Sequence, residues 1–430
     1  MERLTARLTR LVACLVLVTA CGPTATVITT PPPGIAGPPV PSGGLVTLPP
    51  PPTVSVPPNS RWQLLSGFPA QNAYELVSLI TTPDGFVAAG AAGAPGEGYY
   101  GRSQGLVWTS TDGQTWQASA DPALLYTEPL KLVALGSDRY LVGDYEPCAT
   151  SDQSCADSNK AGYAVFQSSA GSGWTMLPEN AGMRQGTVDG MIAGHDQLLA
   201  YGGASDNAVT TTLWRSSNGT DWTASAMPDL QQITAMSATA TGFVMFALTF
   251  NGSSDIQGLV ARSSTDGSNF SPLTLPDLSN VPYPEIDGVT TNGSSLVAVG
   301  FAEDNQGNDT GLALFSPDGA SWSVAHDIDG SFADSDLVDA VAIDRGYLAF
   351  GYSYATAAAQ NLTARVWFSA DGQSWRALAD IPGAFTDIDA WGASSQAAVY
   401  FTDISNDTSA QDVSTTIFPW YGPLDNLLAF

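Results

Sequence analysis

Ser110-Thr-Asp-Gly-Gln-Thr-Trp116 reads as a tight hairpin turn closed by a large aromatic, and the chain writes this phrase six times. It returns as Ser168-Ser-Ala-Gly-Ser-Gly-Trp174, Ser216-Ser-Asn-Gly-Thr-Asp-Trp222 and Ser264-Thr-Asp-Gly-Ser-Asn-Phe270. The last two copies are Ser316-Pro-Asp-Gly-Ala-Ser-Trp322 and Ser369-Ala-Asp-Gly-Gln-Ser-Trp375. Asp-Gly and Asn-Gly supply the positive φ that short hairpins need. The closing aromatic steps by 58, 48, 48, 52 and 53 residues, and Trp62 stands 54 residues before Trp116. Seven marks at about 50 residues each suit a ring of four-stranded blades.

The runs between the phrases agree. Each phrase follows an apolar run such as Gly105-Leu-Val-Trp-Thr109 or Ala364-Arg-Val-Trp-Phe368. Upstream of that lies another hairpin, for example Leu76-Val-Ser-Leu79 followed by Gly85-Phe-Val-Ala-Ala-Gly90. One unit is therefore inner strand, tight turn, second strand, loop, third strand, Asp-Gly turn and outer strand. Six units run from about Asn72 to Asp380. The C-terminus supplies three more strands, 386–392, 396–402 and 413–420, and the fourth is expected from Arg61–Leu65. A unit split between the two chain ends closes a ring and removes its free edges. The expected fold is all-β: a seven-bladed β-propeller over residues 60–430, closed by the N-terminal strand pairing with the C-terminal blade.

The phrase resembles the Asp-box repeat of sialidase-like (BNR-type) bacterial propellers, with one residue fewer between Asp and Gly. In that family the motif is structural and lies away from the active site, so the resemblance implies that Asp112, Asp266, Asp318 and Asp371 make turns. The family's Arg-Ile-Pro motif has no counterpart in Leu65-Ser-Gly-Phe-Pro-Ala70. Arg215 and Arg262 stand beside their turns at the periphery, so sialidase activity is not carried over.

The N-terminus reads as an export signal. Arg3, Arg7 and Arg10 precede a short apolar run, Leu11 to Val18, which is far below the roughly 20 residues of a membrane-spanning helix. The following Val18-Thr-Ala-Cys21 resembles the lipobox of bacterial lipoproteins. That resemblance implies cleavage after residue 20, lipidation of Cys21, and an extracytoplasmic protein anchored to a bacterial membrane. Residues 22–58 hold 13 of the 29 prolines, so 21–59 is expected to be an extended tether. Removing residues 1–20 leaves 11 basic and 40 acidic side chains, a net charge of −29. Nucleic acid is a poor partner for such a surface, because phosphate binding needs clustered Lys and Arg. Cys148 and Cys155 frame a polar stretch that suits a disulfide in an oxidising compartment.

Two places are candidates for function. The loops between second and third strands vary in length and share a face with the connections between blades, and binding residues favour such loops. That face offers Tyr99, Tyr100, Arg102, Tyr145, Glu146, Glu303, Asp304 and Tyr354. The second place is the axis, where the inner strands align Val77, Val133, Asp189, Thr234, Asp287, Asp339 and Asp389 in one column. Its four aspartates either accept backbone N–H bonds or hold Ca²⁺, which takes 6–8 oxygen ligands. Asp327-Ile-Asp329-Gly330 is a fragment of a calcium-loop pattern. No nucleophile–base constellation stands out, and the two histidines, His195 and His326, are far apart in sequence. The composite expectation needs no cofactor: a membrane-anchored binding lipoprotein using the loop-rich face for a protein or glycan. The alternative is a glycan hydrolase with channel carboxylates.

Overall fold

The computed structural model describes residues 53–94, 102–147, 161–169, 172–203, 211–250, 256–303, 308–354, 362–407 and 413–429. The expected signal segment, Cys21 and the expected tether up to residue 52 lie outside the described residues, as do Cys148 and Cys155.

The repeated phrase folds as its chemistry dictates. In the first copy, Ser110 Oγ accepts the Gly113 amide at 2.8 Å, and one Asp112 carboxylate oxygen accepts the amides of Gln114 and Thr115, both at 2.8 Å. The Trp116 indole then donates to the Gly113 carbonyl at 3.0 Å, laying the ring across the turn. Asn218, Asp266, Asp318 and Asp371 repeat the double amide contact. The turn glycines stand at φ between 70° and 78°, which L side chains rarely adopt. Their neighbours' amides hold the Asp112 and Asp318 carboxyls below the usual range, as expected of a carboxylate collecting N–H donors. These aspartates are turn-makers.

The strands assemble into seven antiparallel sheets. Strands a to d, from the axis outward, are Ala73–Thr82, Gly85–Gly93, Ser103–Ser110 and Gln117–Ser119 in blade 1. Blade 2 holds Thr127–Leu135, Asp138–Tyr145, Gly162–Ser169 and Thr175–Met176; blade 3 holds Thr187–Gly194, Gln197–Gly203, Thr211–Ser216 and Thr223–Met227. Blade 4 is Gln232–Thr239, Gly242–Phe250, Ile256–Ser264 and Ser271–Leu273; blade 5 is Pro284–Thr291, Leu296–Glu303, Asp309–Ser316 and Ser323–Val324. Blade 6 comprises Ser335–Ile343, Gly346–Tyr354, Leu362–Ser369 and Ser374–Ala377, with a fifth, parallel strand, His326–Asp327, on its outer edge. Blade 7 has Asp387–Ala393, Ala397–Asp407 and Val413–Pro423, and Gln63–Leu64 from the N-terminus as strand d. Gln63 pairs with Tyr421 and Leu64 with Trp420, and the Trp62 indole donates to the Ala379 carbonyl at 2.8 Å.

Seven apolar clusters fill the gaps between successive blades. One lies between blades 7 and 1, where Ala390, Val399 and Phe401 meet Phe86, Trp108 and Trp116. An open array of seven blades would have one gap fewer, so the packing itself closes the ring. Each sheet buries both faces this way, which is why strand b of blade 1 reads as an unbroken apolar run.

The inner strands share one irregularity. Their register against strand b slips at Val77, Leu130, Asp189, Thr234, Asp287, Val338 and Asp389, a β-bulge at one level of every blade. Asp189, Asp287 and Asp389 sit on it as expected. Val133 and Asp339 do not: Leu130 and Val338 hold those places, and Asp339 occupies the next position. The bulge is common to all seven strands, but in blades 2 and 6 its residue is apolar, so no polar mark in the sequence fixes the register there. The column just past the bulge is therefore Ser78, Lys131, Gly190, Ala235, Gly288, Asp339 and Ala390.

Candidate functional sites at the axis and on the loop-rich face

The axis holds a cavity of about 1100 Å³ to which all seven blades contribute. Its outer rim is made of strand a–b turns, including Asn292, Asp344, Arg345, Ser394 and Ser395, so it opens on the face of the tight turns. Apolar side chains from successive strands a form the wall, among them Leu79, Val133, Met191, Met236 and Val341. Lys131 and Asp339, both one residue past the bulge, lie at its deep end with Trp391.

Asp339 is held firmly. Its Oδ1 accepts the Ala340 amide at 2.8 Å and its Oδ2 accepts the Trp391 indole at 3.1 Å. Burial pushes its carboxyl up, while the Lys131 ammonium, the Trp391 indole and the Ala340 amide pull it back. A Cβ on Gly288 would come within 2.5 Å of the Asp339 carboxylate, so the glycine in blade 5 makes room for it. Asp189, on the bulge itself, has its carboxyl pushed up to about 6 by burial. Burial likewise raises the Tyr201 hydroxyl, with Asp189 and Asp339 adding their negative charge. Among the described residues, no three His, Cys, Asp or Glu side chains come together as ligands for a metal ion. Asp189, Asp287 and Asp389 share the bulge level and Asp339 stands one residue further on, but they are not gathered into the calcium site that the sequence column offers as one of its two readings. Asp327 and Asp329 are also spoken for: they accept the amides of Ser331, Phe332 and Ala377.

On the loop-rich face, Tyr99, Tyr100 and Asp304 lie outside the described residues. Arg102 and Glu146 meet at the corner between blades 1 and 2. The Arg102 guanidinium lies 3.8 Å over the Tyr126 ring and donates to the Pro147 carbonyl at 2.8 Å. Tyr126 takes φ +67°, and its carbonyl accepts the Glu146 amide at 2.8 Å. The same corner carries Tyr74, Ser103 and Glu128, which the sequence reading did not single out. The Tyr74 hydroxyl is 2.6 Å from Ser103 Oγ, and both reach Glu128 Oε2, at 3.4 and 3.2 Å. Burial and the Glu128 charge raise the Tyr74 hydroxyl, so it stays a neutral donor. Tyr145 packs against the core between blades 1 and 2. Glu303 and Tyr354 end strands b of blades 5 and 6, away from this corner, and the Tyr354 ring packs edge-on to Tyr352 at 5.4 Å. Arg215 and Arg262 are peripheral as expected: one donates to the Asp266 carbonyl, the other pairs with Asp229.

No protein-family model and no curated protein matches the chain. Solved structures do. The uncomplexed acylaminoacyl peptidase of Pyrococcus horikoshii matches over 83% of this chain and 53% of its own, with 9% identity and a TM-score of 0.50. The present chain thus spans about half the length of that protein. The β-propeller domain of the Trilobed protease from Pyrococcus furiosus matches over 83% of this chain and 99% of its own, at 10% identity and a TM-score of 0.47. The α-L-arabinanase of Penicillium chrysogenum, complexed with arabinobiose, matches over 83% and 95%, at 12% identity and a TM-score of 0.44. At these identities the likeness concerns the propeller fold alone.

Proposed function

We propose that this chain is an extracytoplasmic, lipid-anchored binding protein whose propeller presents the corner of blades 1 and 2 to a glycan. The observation that carries the reading is the preformed cluster at that corner: an Arg102 fork stacked on Tyr126, beside a hydroxyl pair and carboxylate from Tyr74, Ser103 and Glu128. A sugar presents paired hydroxyls and an apolar ring face. Donors, acceptors and an aromatic face held on rigid strands meet those needs with little ordering cost. The expected anchor and tether fit such a role, because several acyl chains on Cys21 would hold the disc at a membrane, each buried CH₂ adding about 0.8 kcal/mol. The test is a glycan array probed with the purified protein. Binding should appear and should fall roughly tenfold or more in Arg102→Ala, since a hydrogen bond to a charged group contributes about 1.5–3 kcal/mol. Failure to bind any polysaccharide, or an Arg102→Ala protein that binds as before, overturns the assignment.

One observation favours the hydrolase alternative. A carboxyl raised to about 6, as in Asp189, carries the proton that a general acid must deliver. On that reading Asp189→Asn abolishes glycan turnover; on the binding reading there is no turnover to lose.

A further inference from the structure

We infer that the axial funnel is a second binding site, separate from the loop-rich corner, and that it takes a small zwitterion with an apolar body, of the α-amino acid class. The argument starts from the column just past the bulge. Five of its seven members are small, Ser78, Gly190, Ala235, Gly288 and Ala390, and the other two are Lys131 and Asp339. The five small members are buried against neighbouring strands, so at this level only the two opposite charges line the funnel. The pair comes from blades 2 and 6, which no shared sheet holds together, and both side chains line the same cavity.

The two charges are not equivalent. Asp339 is fixed by Trp391 and by the Ala340 amide, each of which occupies one lone pair and leaves one on each oxygen. Lys131 makes no hydrogen bond or ion pair among the described residues, although its charge acts on Asp339. It is one of only two lysines in a chain of net charge −27. A ligand carboxylate would satisfy the Lys131 ammonium, and a ligand ammonium would use the free lone pairs of Asp339. A zwitterion does both and leaves the deep end neutral, whereas an anion alone would add a negative charge beside Asp339 in an already acidic protein. Above that level the wall turns apolar through the half-buried Leu79, Ile192 and Val341. The apolar body lies there, pointing to the tight-turn face.

The experiment is calorimetric titration of the full chain with three probes sharing one apolar body: L-phenylalanine, 3-phenylpropionate and 2-phenylethylamine. L-Phenylalanine should bind, and each single-charge analogue should bind about tenfold or more weakly, as expected when one charge-assisted hydrogen bond is lost. Lys131→Met should bind L-phenylalanine no better than 2-phenylethylamine, and Asp339→Asn no better than 3-phenylpropionate. Heat released by 3-phenylpropionate at the same affinity as L-phenylalanine would overturn the inference in favour of a plain anion site. So would the absence of binding by L-phenylalanine, L-leucine and L-methionine to the folded protein. The three-probe series on the unaltered chain decides the matter even if a variant fails to fold. Because the site lies on the opposite face from Arg102, its outcome is independent of the glycan test.

Discussion

Replacing Trp62 with alanine tests the ring closure directly. The indole is 1% exposed, packs in the cluster between blades 6 and 7, and donates to the Ala379 carbonyl. Its six-membered ring approaches Gly422 so closely that a Cβ there would stand 2.9 Å from it. Truncating a buried Trp or Phe costs about 3–5 kcal/mol, and stranding the Ala379 carbonyl adds about 1 kcal/mol or more. The expected loss, roughly 4–6 kcal/mol, is a large share of the 5–15 kcal/mol that typically holds a domain. The loss should also be local, because Trp62 sets the strand Gln63–Leu64 against Tyr421 and Trp420. Urea unfolding gives the magnitude, and amide hydrogen exchange gives the place: protection should drop first at Leu65 and along 413–423, whose edge would be uncovered. Trp222→Ala is the control. Its indole makes the same kind of bond, to the Gly219 carbonyl at 2.8 Å, but it is partly exposed and sits in a turn within blade 3. It should cost clearly less and leave exchange in blade 7 unchanged. A Trp62→Ala protein that loses under 1 kcal/mol, or one that loosens in other blades first, would refute closure by the N-terminal strand.

Two further outcomes follow from the inner strands. Gly300→Ala should destabilise by about 1–3 kcal/mol, since the new Cβ would land on the Glu285 carbonyl oxygen across the bulge; equal urea midpoints would show that the strands are not packed this closely. Asp189, raised to about 6 against about 3.9 unfolded, binds its proton more tightly in the folded chain. Its contribution is therefore fully present below about pH 4 and lost as pH rises through about 6, a change on the order of 2–3 kcal/mol. Asp189→Asn should remove that slope and gain on the parent between pH 4.5 and 7.5 in paired urea titrations. A gap between the two proteins that does not change with pH would show that Asp189 titrates normally. Asp339, raised in the same direction, leaves a residual slope in the variant.

The fold was legible because its determinants are local and repeated. An Asp-Gly turn needs only the residues within it: Asp318 takes its amides from Ala320 and Ser321, two and three positions on. The split blade was legible because counting strands needs no register. The site was not, for two physical reasons. The bulge is not marked by any residue type, being apolar Leu130 and Val338 in blades 2 and 6, so Asp339 is placed one step early and Lys131 is passed over. A count back from the second strand would have found it: in six of the seven blades the bulge lies eight residues before the start of strand b, as Leu130 does before Asp138 and Val338 before Gly346, and in blade 5 it lies nine before. The loop-rich corner was hidden differently. Tyr74, Ser103, Tyr126 and Glu128 come from the ends of three strand segments and one connection, and only the ring brings them together.

A repeat protein states its function in the places where the repeat is broken. Turn aspartates and strand b glycines recur because every blade faces the same backbone problem, so their presence carries no information about a ligand. The position after the bulge is different. Small residues solve it in five blades, where bulk would strike a neighbour: at Gly190 the Tyr201 ring, at Gly288 the Asp339 backbone. Asp339 is buried at this level, and a buried carboxylate needs partners. Trp391 supplies part of that need for Asp339. The Lys131 ammonium supplies another part through its charge, while making no hydrogen bond or ion pair of its own among the described residues. Its N–H donors are thereby left for a ligand carboxylate, which is what the three-probe titration tests.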